Sequence, residues 1–385
     1  MNILFLNHNI AWTGGFFRAY HWGRYLVKAG HKVTIITISE SNRTFFSETS
    51  KDGIQIIKSP DLLTGKFRTG WDPYDTIARI MYLRKIKYDI IHCVDTRPNV
   101  VIPGLFLKKK NGGKIIMDWG DWWGRGGTIS ERSNSFIEKI FEPVETFFEE
   151  KFRKYADGHV VLSEALHERC LALGITKPII RIPHGADTVQ IKPKDKIEAR
   201  KKMSFPPDGK VVGYLGTIFQ NDADLLISSF RIVKQLLPEL QLLIIGNCKA
   251  SFPADLILDK SIIKTGKLDF EKMIDYIAVC DFMLLPLKDT IANRGRWPSK
   301  ACDYLSAGKP VIATKVGDIS NLFHNSKAGF LSVDDPVSYA NTIYNSFLIT
   351  DIKECEISAR GIAEEELSWE KLTIKLELFY NTLKS

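Results

Sequence analysis

The sequence predicts an α/β protein made of two consecutive Rossmann-like, doubly wound domains that face each other across a cleft. Three observations predict it. Short apolar runs alternate with helical stretches along most of the 385 residues. A glycine loop, Gly14–Gly15, stands between the first run and the first helical stretch. The whole pattern then restarts near residue 209. Alternation of this kind is the mark of parallel sheets with crossover helices, and at about 150 residues per domain the length suits two domains.

Taken in order, Asn2–Asn7 is the first strand, Phe16–Ala29 a helix ended by Gly30, and Lys32–Thr37 the second strand. Ile54–Lys58, Ile90–Val94, Lys114–Asp118, His159–Leu162 and Ile179–Pro183 continue the strands, with helices over Phe136–Tyr155 and Ser163–Leu173. Residues 1–185 thus form the first domain. Residues 186–208 are polar, contain Pro193, Pro206 and Pro207, and read as a linker. The second domain, 209–367, opens with a strand at Val211–Leu215, a loop at Gly216–Asp222 and a helix at Asp224–Leu237. Leu242–Ile245, Ile262–Lys264, Phe282–Pro286 and Val311–Thr314 are its further strands. Residues 368–385 form a last helix, with Trp369, Leu372, Ile374, Leu376, Leu378 and Phe379 at helical spacing.

Composition narrows the function. At 44% hydrophobic and 25% charged, the chain is an ordinary globular protein. No run is long and apolar enough to cross a membrane, and the start lacks the pattern of a signal peptide. Six cysteines are scattered singly, so neither a disulfide framework nor a zinc site is expected, and a reducing cytoplasm fits. The net charge of +8 sits in residues 1–185, which hold 27 basic and 19 acidic side chains. Lys108–Lys110 form a run, and Lys66 and Arg68 flank Phe67. A basic half can attract a phosphorylated substrate, nucleic acid or an anionic membrane, the last by peripheral contact at its inner face. No nucleic-acid motif is present, so nucleic acid is not an expected partner.

Ligands of open parallel sheets bind beyond the carboxyl ends of the strands. Gly14 and Gly15 lie there, where backbone N–H groups of the next helix suit a phosphate. The stretch 293–310, NRGRWPSKACDYLSAGKP, is more informative. Pro298 suits a first helical turn and Gly308 an end. Arg294, Arg296 and Lys300 bring three cations to that helix start beside Ser299, an arrangement fit for an anion. Asp303, one turn inside, suits sugar or ribose hydroxyls. In the first domain, Asp118–Gly127 (DWWGRGG with its flanks) follows a strand. Trp122 and Trp123 offer flat apolar faces of the kind that pack on sugar rings, Arg125 offers a charge, and His8 stands after the first strand. Asp222-Ala223-Asp224 opens a helix and reads as capping rather than metal binding, so no metal or other cofactor is expected. The helix FIEKIFEPVETFFEEKFRKY, with its Glu-rich polar face, is expected to pack against its own domain.

PSKACDYLSAGKPVIATKVG resembles the signature of retaining glycosyltransferases of family 4, which have the GT-B fold. AWTGGFFRAYHWGRYLVKAGHKVTIIT, ADGHVVLSEALHERCLALGI, IPHGADTVQIKP, VVGYLGTI, LQLLIIG and SWEKLTIKLELFYNTL are similar to further family segments along nearly the whole chain. The resemblance implies a nucleotide diphosphate sugar as donor, held mainly by the second domain. It also implies a glycan or lipid-linked acceptor on the first, and a last helix that crosses back to the first domain. Residue by residue it places Asp303 on the ribose, Gly266 near the base and Asp121 near the transferring sugar, and it makes Asp121, Arg294 and Lys300 the catalytic candidates. The chain departs from the family where Gly295 replaces the first signature Glu, and where Thr217 and Asn221 stand at places usually cationic. Those departures leave open a non-catalytic nucleotide-sugar or glycan-binding protein, and another reaction on the same fold, such as the epimerisation of a sugar nucleotide, is the second alternative.

Overall fold

The computed structural model describes all residues except 65–66, 133–135, 219, 249, 251, 253–258, 350 and 385; the side chains of 131–132, 136–139 and 221 also lie outside the description. Lys66 and the Asn221 side chain are among these. The chain divides into two compact units: Met1–Pro183 with Gly295–Trp297 and Trp369–Ser385, and His184–Arg294 with Pro298–Ser368.

The first unit is built on eight strands: β1 (Asn2–Ile10), β2 (Lys32–Ile38), β3 (Ser47–Lys51), β4 (Ile54–Ser59), β5 (Ile90–Val94), β6 (Lys114–Trp119), β7 (Gly158–Val161) and β8 (Ile179–Arg181). Their spatial order is β3-β4-β2-β1-β5-β6-β7-β8, parallel except for β3. The inner strands are buried end to end, as the continuous Ile/Val/Leu runs require of a sheet covered on both faces. β3 escaped sequence reading because SETSK is polar and wholly exposed. It exists as an antiparallel edge partner of β4, turned by Asp52 and Gly53, both at positive φ.

Helix α1 (Phe16–Lys28) and the last helix, Trp369–Lys384, cover one face of this sheet; Trp369, Leu372, Leu376, Phe379, Tyr380 and Leu383 enter its core. Ile374 and Leu378, read with that stripe, are instead exposed. Helices α2 (Pro73–Leu83), α3 (Pro98–Asn111), α4 (Thr128–Arg132), α5 (Phe136–Lys151) and α6 (Glu164–Ala172) complete the unit. A buried network holds α1, the sheet and the last helix together. Arg18 Nε donates to Asp118 Oδ2 at 2.8 Å, and His92 Nδ1 stands 2.6 Å from Tyr380 Oη.

The second unit carries a six-stranded parallel sheet: β9 (Val211–Leu215), β10 (Gln241–Ile245), β11 (Ile262–Lys264), β12 (Phe282–Leu285), β13 (Val311–Thr314) and β14 (Gly329–Ser332), in the order β11-β10-β9-β12-β13-β14. Residues 186–208, read as a linker, contain helix α7 (Lys196–Lys202) and belong to this unit. Its Arg200 is buried on Asp281 at 2.8 Å. The expected loop 216–222 is shorter than read: α8 (Gln220–Leu236) starts at Gln220, so Asp224 accepts from Gln220 Nε2 inside the helix rather than at its mouth. The remaining helices of this unit include Ile291–Gly295, whose last residue groups with the first unit, and Ser299–Ser306.

Candidate active site

In each sheet the strand order reverses at one point, between β1 and β5 in the first and between β9 and β12 in the second. A crevice opens beyond the carboxyl ends of the strands at such a point.

In the first unit, His8 and Asp95 occupy it. His8 Nε2 lies 3.0 Å from Asp95 Oδ2, and Nδ1 lies 3.4 Å from Thr69 Oγ1. Burial holds the imidazole below its ordinary pKa, against the pull of Asp95. Asp95 has φ +65°, a left-handed conformation that Asp tolerates better than most residues. Its other oxygen accepts from Gly120 N at 3.2 Å. The residue was missed in the sequence; its place directly after β5 was the available signal. His8 is therefore one half of a pair.

Gly14 has φ +50°, and a Cβ there would lie 2.8 Å from Asn9 Nδ2; one at Gly15 would lie 2.8 Å from Asn9 Oδ1. The glycines let the α1 start close over the Asn9 side chain.

The loop after β6 carries Asp121, Trp122, Trp123 and Arg125. Asp121 is half-buried and Arg125 exposed. The tryptophan faces are taken by cations. Arg169 lies 4.7 Å over Trp122, and Arg68 and Arg97 lie 5.0 and 5.2 Å over Trp123. Trp122 Nε1 donates to Arg125 O at 3.1 Å. These rings serve as platforms for guanidinium groups, which the aromatic quadrupole favours. Arg97 is paired with Glu145 at 2.9 Å, and Arg68 approaches the same carboxylate at 3.5 Å. Glu149 is buried and accepts three N–H bonds from this loop region. Burial pushes its carboxyl up to about 7, against those donors and Arg153.

Gly295–Trp297 group with this unit. A Cβ at Gly295 would lie 2.8 Å from Trp122 Cβ, and Ser163 Oγ donates to Gly295 O at 2.9 Å. The absent signature Glu thus has a physical counterpart: Trp122 fills the space a side chain would need. Arg296 is half-buried.

In the second unit, Gly216 (φ +98°) and Gly246 (φ +119°) end β9 and β10, and a Cβ at Gly246 would lie 3.1 Å from Gly216 O. Gly266 (φ +67°) has open space where a Cβ would stand, and Thr217 is half-buried. Helix Ser299–Ser306 follows, with Pro298 as its N-cap rather than its first residue and no side chain capping it. Ser299 is exposed at its start. Lys300 lies 3.9 Å over the Tyr214 ring and donates to Tyr214 Oη. Asp303 is half-buried; burial first, then the neighbouring Asp187 charge, push its carboxyl up to about 7, against Lys300. Arg294 is exposed and grips Asp289 through both of its carboxylate oxygens, at 2.6 and 2.7 Å. The sequence treated Arg294 as a ready anion ligand; in the structure it already has an anion. Tyr214 and Asp289 were not legible as partners before the fold brought them to these cations.

Among the described residues, no group of three or more His, Cys, Asp or Glu could hold a metal ion. A cavity of about 350 Å³ lies at the amino ends of β5 and β6, lined by Lys87, Asp89, Lys114 and Lys384 among others, away from all of these residues.

Two family models match, "Glycosyltransferase Family 4" over residues 12–190 and "Glycosyl transferases group 1" over residues 209–347. The chain belongs to the glycosyltransferases of GT-B fold and family 4-like type. Among solved structures, a sucrose-phosphate synthase of Thermosynechococcus elongatus superposes with TM-score 0.76 at 18% identity, covering 100% of this chain and 99% of that one. The HepE protein of Anabaena in complex with UDP gives TM-score 0.70 at 15% identity, covering 99% and 100%. Both show the fold. In sequence, the chain is 24% identical over 239 residues to an inferred teichuronic acid biosynthesis glycosyltransferase of Bacillus subtilis, covering 59% of this chain and 56% of that one. The match thus spans little more than half of that relative's length.

Proposed function

We propose that the protein is a retaining glycosyltransferase that moves a sugar from a nucleotide diphosphate donor to a glycan or lipid-linked acceptor, in the synthesis of a cell-surface polysaccharide or glycoconjugate. One observation carries the proposal. In the second unit β9, β10 and β11 run into Gly216, Gly246 and Gly266, and a helix start without a side-chain cap sets Lys300 over Tyr214 of β9, one turn before Asp303. The helix start and Lys300 suit the diphosphate, Asp303 the ribose hydroxyls, and the backbone near Gly266 and Thr217 the rest of the nucleotide. Arg294 joins on exchanging Asp289 for phosphate, and Arg296 is the third cation of that stretch.

In the reaction, the bond from the anomeric carbon to the diphosphate oxygen breaks and a bond to the acceptor oxygen forms on the same face. The acceptor proton passes to the leaving phosphate. The cations stabilise charge that grows on the diphosphate. Asp121, His8, Trp122, Trp123 and Arg125 are assigned to the acceptor side. No metal is required in this scheme.

Membrane contact is part of the same proposal. Ile77, Met81, Ile102 and Phe106 are exposed on α2 and α3, which pack against each other, and Lys109 and Lys110 are exposed at the end of α3. Lys108 is not equivalent to them, since it pairs with Asp157 at 2.8 Å. Binding to anionic vesicles that falls with salt and with neutralisation of Lys109 and Lys110 is expected; no binding at low salt removes the membrane from the scheme, and binding indifferent to both points to apolar insertion instead.

The test of the main proposal is product analysis over a panel of nucleotide sugars and acceptors, with the anomeric configuration read by NMR. Transfer with retained configuration is expected. Transfer with inversion refutes the stereochemistry, an epimerised donor makes the protein an epimerase, and a donor bound but unchanged makes it a binding protein.

A further inference from the structure

The sequence presents α5 as an amphipathic helix with a Glu-rich polar face. The structure turns that face inward. Glu145, Thr146 and Glu149 are buried, while Ile140, Val144 and Phe147 are 61%, 40% and 51% exposed. Carboxylates are not buried in this way without partners, and the partners here are backbone N–H groups of one loop. Glu149 Oε1 accepts from Trp123 N at 2.8 Å and from Trp119 Nε1 at 2.9 Å, and Oε2 accepts from Gly124 N at 2.7 Å. One turn earlier, Thr146 Oγ1 accepts from Arg125 N at 2.9 Å. Glu142, a further turn back, accepts from Gly126 N at 3.4 Å. Four consecutive loop amides, 123 to 126, are thus tied to successive turns of a single helix. From the other side Asp95 takes Gly120 N. Asp121 and Trp122 lie between the two anchors in the chain.

We propose that Glu149 is a positioning residue for the reaction: its carboxylate sets the path of residues 119–124, and through them the place of Asp121 and Trp122. The proposal rests on the reading of this loop as the acceptor side. A carboxyl group suits the task, because when ionised it offers two oxygens without hydrogens of its own, which is what three converging donors need. Gly124 is matched to it, because a Cβ there would lie 2.6 Å from Glu149 Oε2 and 2.8 Å from Thr146 Oγ1. Arg153, one turn further along, is buried 3.8 Å over the Trp119 ring and supplies the nearby positive charge.

Glu149→Gln is isosteric but holds one oxygen. If that oxygen keeps Trp119 and Trp123, the amide NH2 faces Gly124 N–H, donor against donor. The loop should loosen at 124 while the helix remains. Two measurements on the full chain decide the matter. Hydrogen exchange should show the amides of Trp123 and Gly124 losing protection at least tenfold in Glu149→Gln, with the β1 and β5 amides unchanged. Steady-state transfer should show kcat falling at least tenfold, with nucleotide affinity within twofold of wild type. Gly124→Ala should reproduce both effects from the loop side, and Glu149→Asp should restore part of the rate. Unchanged protection at 123–124 overturns the proposal, and so does an unchanged kcat. A drop in rate that comes with equal loss of nucleotide affinity or of protection throughout the sheet also overturns it, as it marks general unfolding. If the wild-type protein transfers no sugar, the functional reading fails, and the exchange measurement still decides whether Glu149 holds the loop.

Discussion

Asp303 makes the sharpest test of the donor site. Its carboxyl is pushed up to about 7 by burial and by Asp187, so near neutral pH it is divided between acid and carboxylate. Ribose hydroxyls donate hydrogen bonds best to the carboxylate. If the nucleotide binds only the ionised form, the apparent Kd is weakened by the fraction protonated. For a pKa of about 7 that is about tenfold at pH 6 and about a tenth at pH 8, and tenfold is about 1.4 kcal/mol. The sign is opposite for the ligand-free fold. A carboxyl with a raised pKa binds its proton more tightly folded than unfolded, so this group's contribution to stability falls as pH rises from about 4 to about 7. Affinity and ligand-free stability therefore move in opposite directions across the window. Isothermal titration with a nucleotide diphosphate sugar, whose diphosphate has no group titrating in this range, from pH 6 to pH 8 in buffers of different ionisation enthalpy reads both the affinity and the proton released on binding. The wild type should tighten and release a proton below pH 7. Asp303→Asn should bind more weakly, with a flat pH profile and no release. A wild-type profile that is flat, or one that Asp303→Asn reproduces, refutes the assignment of Asp303 to the ribose.

Three further predictions follow from the same geometry. Lys300→Ala should weaken nucleoside diphosphate binding by about 1.5–3 kcal/mol, the worth of a hydrogen bond to a charged group; Arg294→Ala should cost less, since the ligand must displace Asp289, and titration giving the reverse order would count against this picture. Gly295→Glu, which restores the family residue, should lower the melting temperature because it meets Trp122, at an overpacking cost of about 1–3 kcal/mol, and adding Trp122→Ala should recover it; a single variant that melts with the wild type shows that the space is there. Arg18→Met should cost about 3–5 kcal/mol in urea unfolding by leaving Asp118 buried without its main partner. Burial alone would raise the Asp118 carboxyl, but Arg18 and His92 hold it at about 2. Its contribution is therefore present above about 4 and lost as pH falls toward 2, and acid unfolding of Arg18→Met should begin at higher pH; an unshifted acid transition would show that the pair does not stabilise the fold.

The residues show where sequence reading stops. Strand runs such as Lys114–Asp118 and Val211–Leu215, the Gly14–Gly15 turn and the Pro298–Gly308 helix were legible because each depends on local periodicity or on one residue's backbone preference. The same local rules missed β3, whose polar residues pair only because β4 offers an edge, and set the α8 start four residues late. They also read the glutamates of α5 only as the polar face of a helix packed against its domain. Nothing within its own turns says that Glu149 reaches Trp119, 30 residues away, or that Glu145 reaches Arg97, 48 residues away. Asp95 beside His8, Tyr214 under Lys300 and Trp122 against Gly295 are likewise meetings of segments distant in the chain. The sequence by itself determined the alternation of strand and helix, the two-sheet plan and the family, because these are written in periodicity and in one contiguous motif. Which carboxylates are buried, which cations are already paired and which rings are covered was decided only by the tertiary structure, because hydrogen bonds and desolvation act between groups that the chain brings together when it folds.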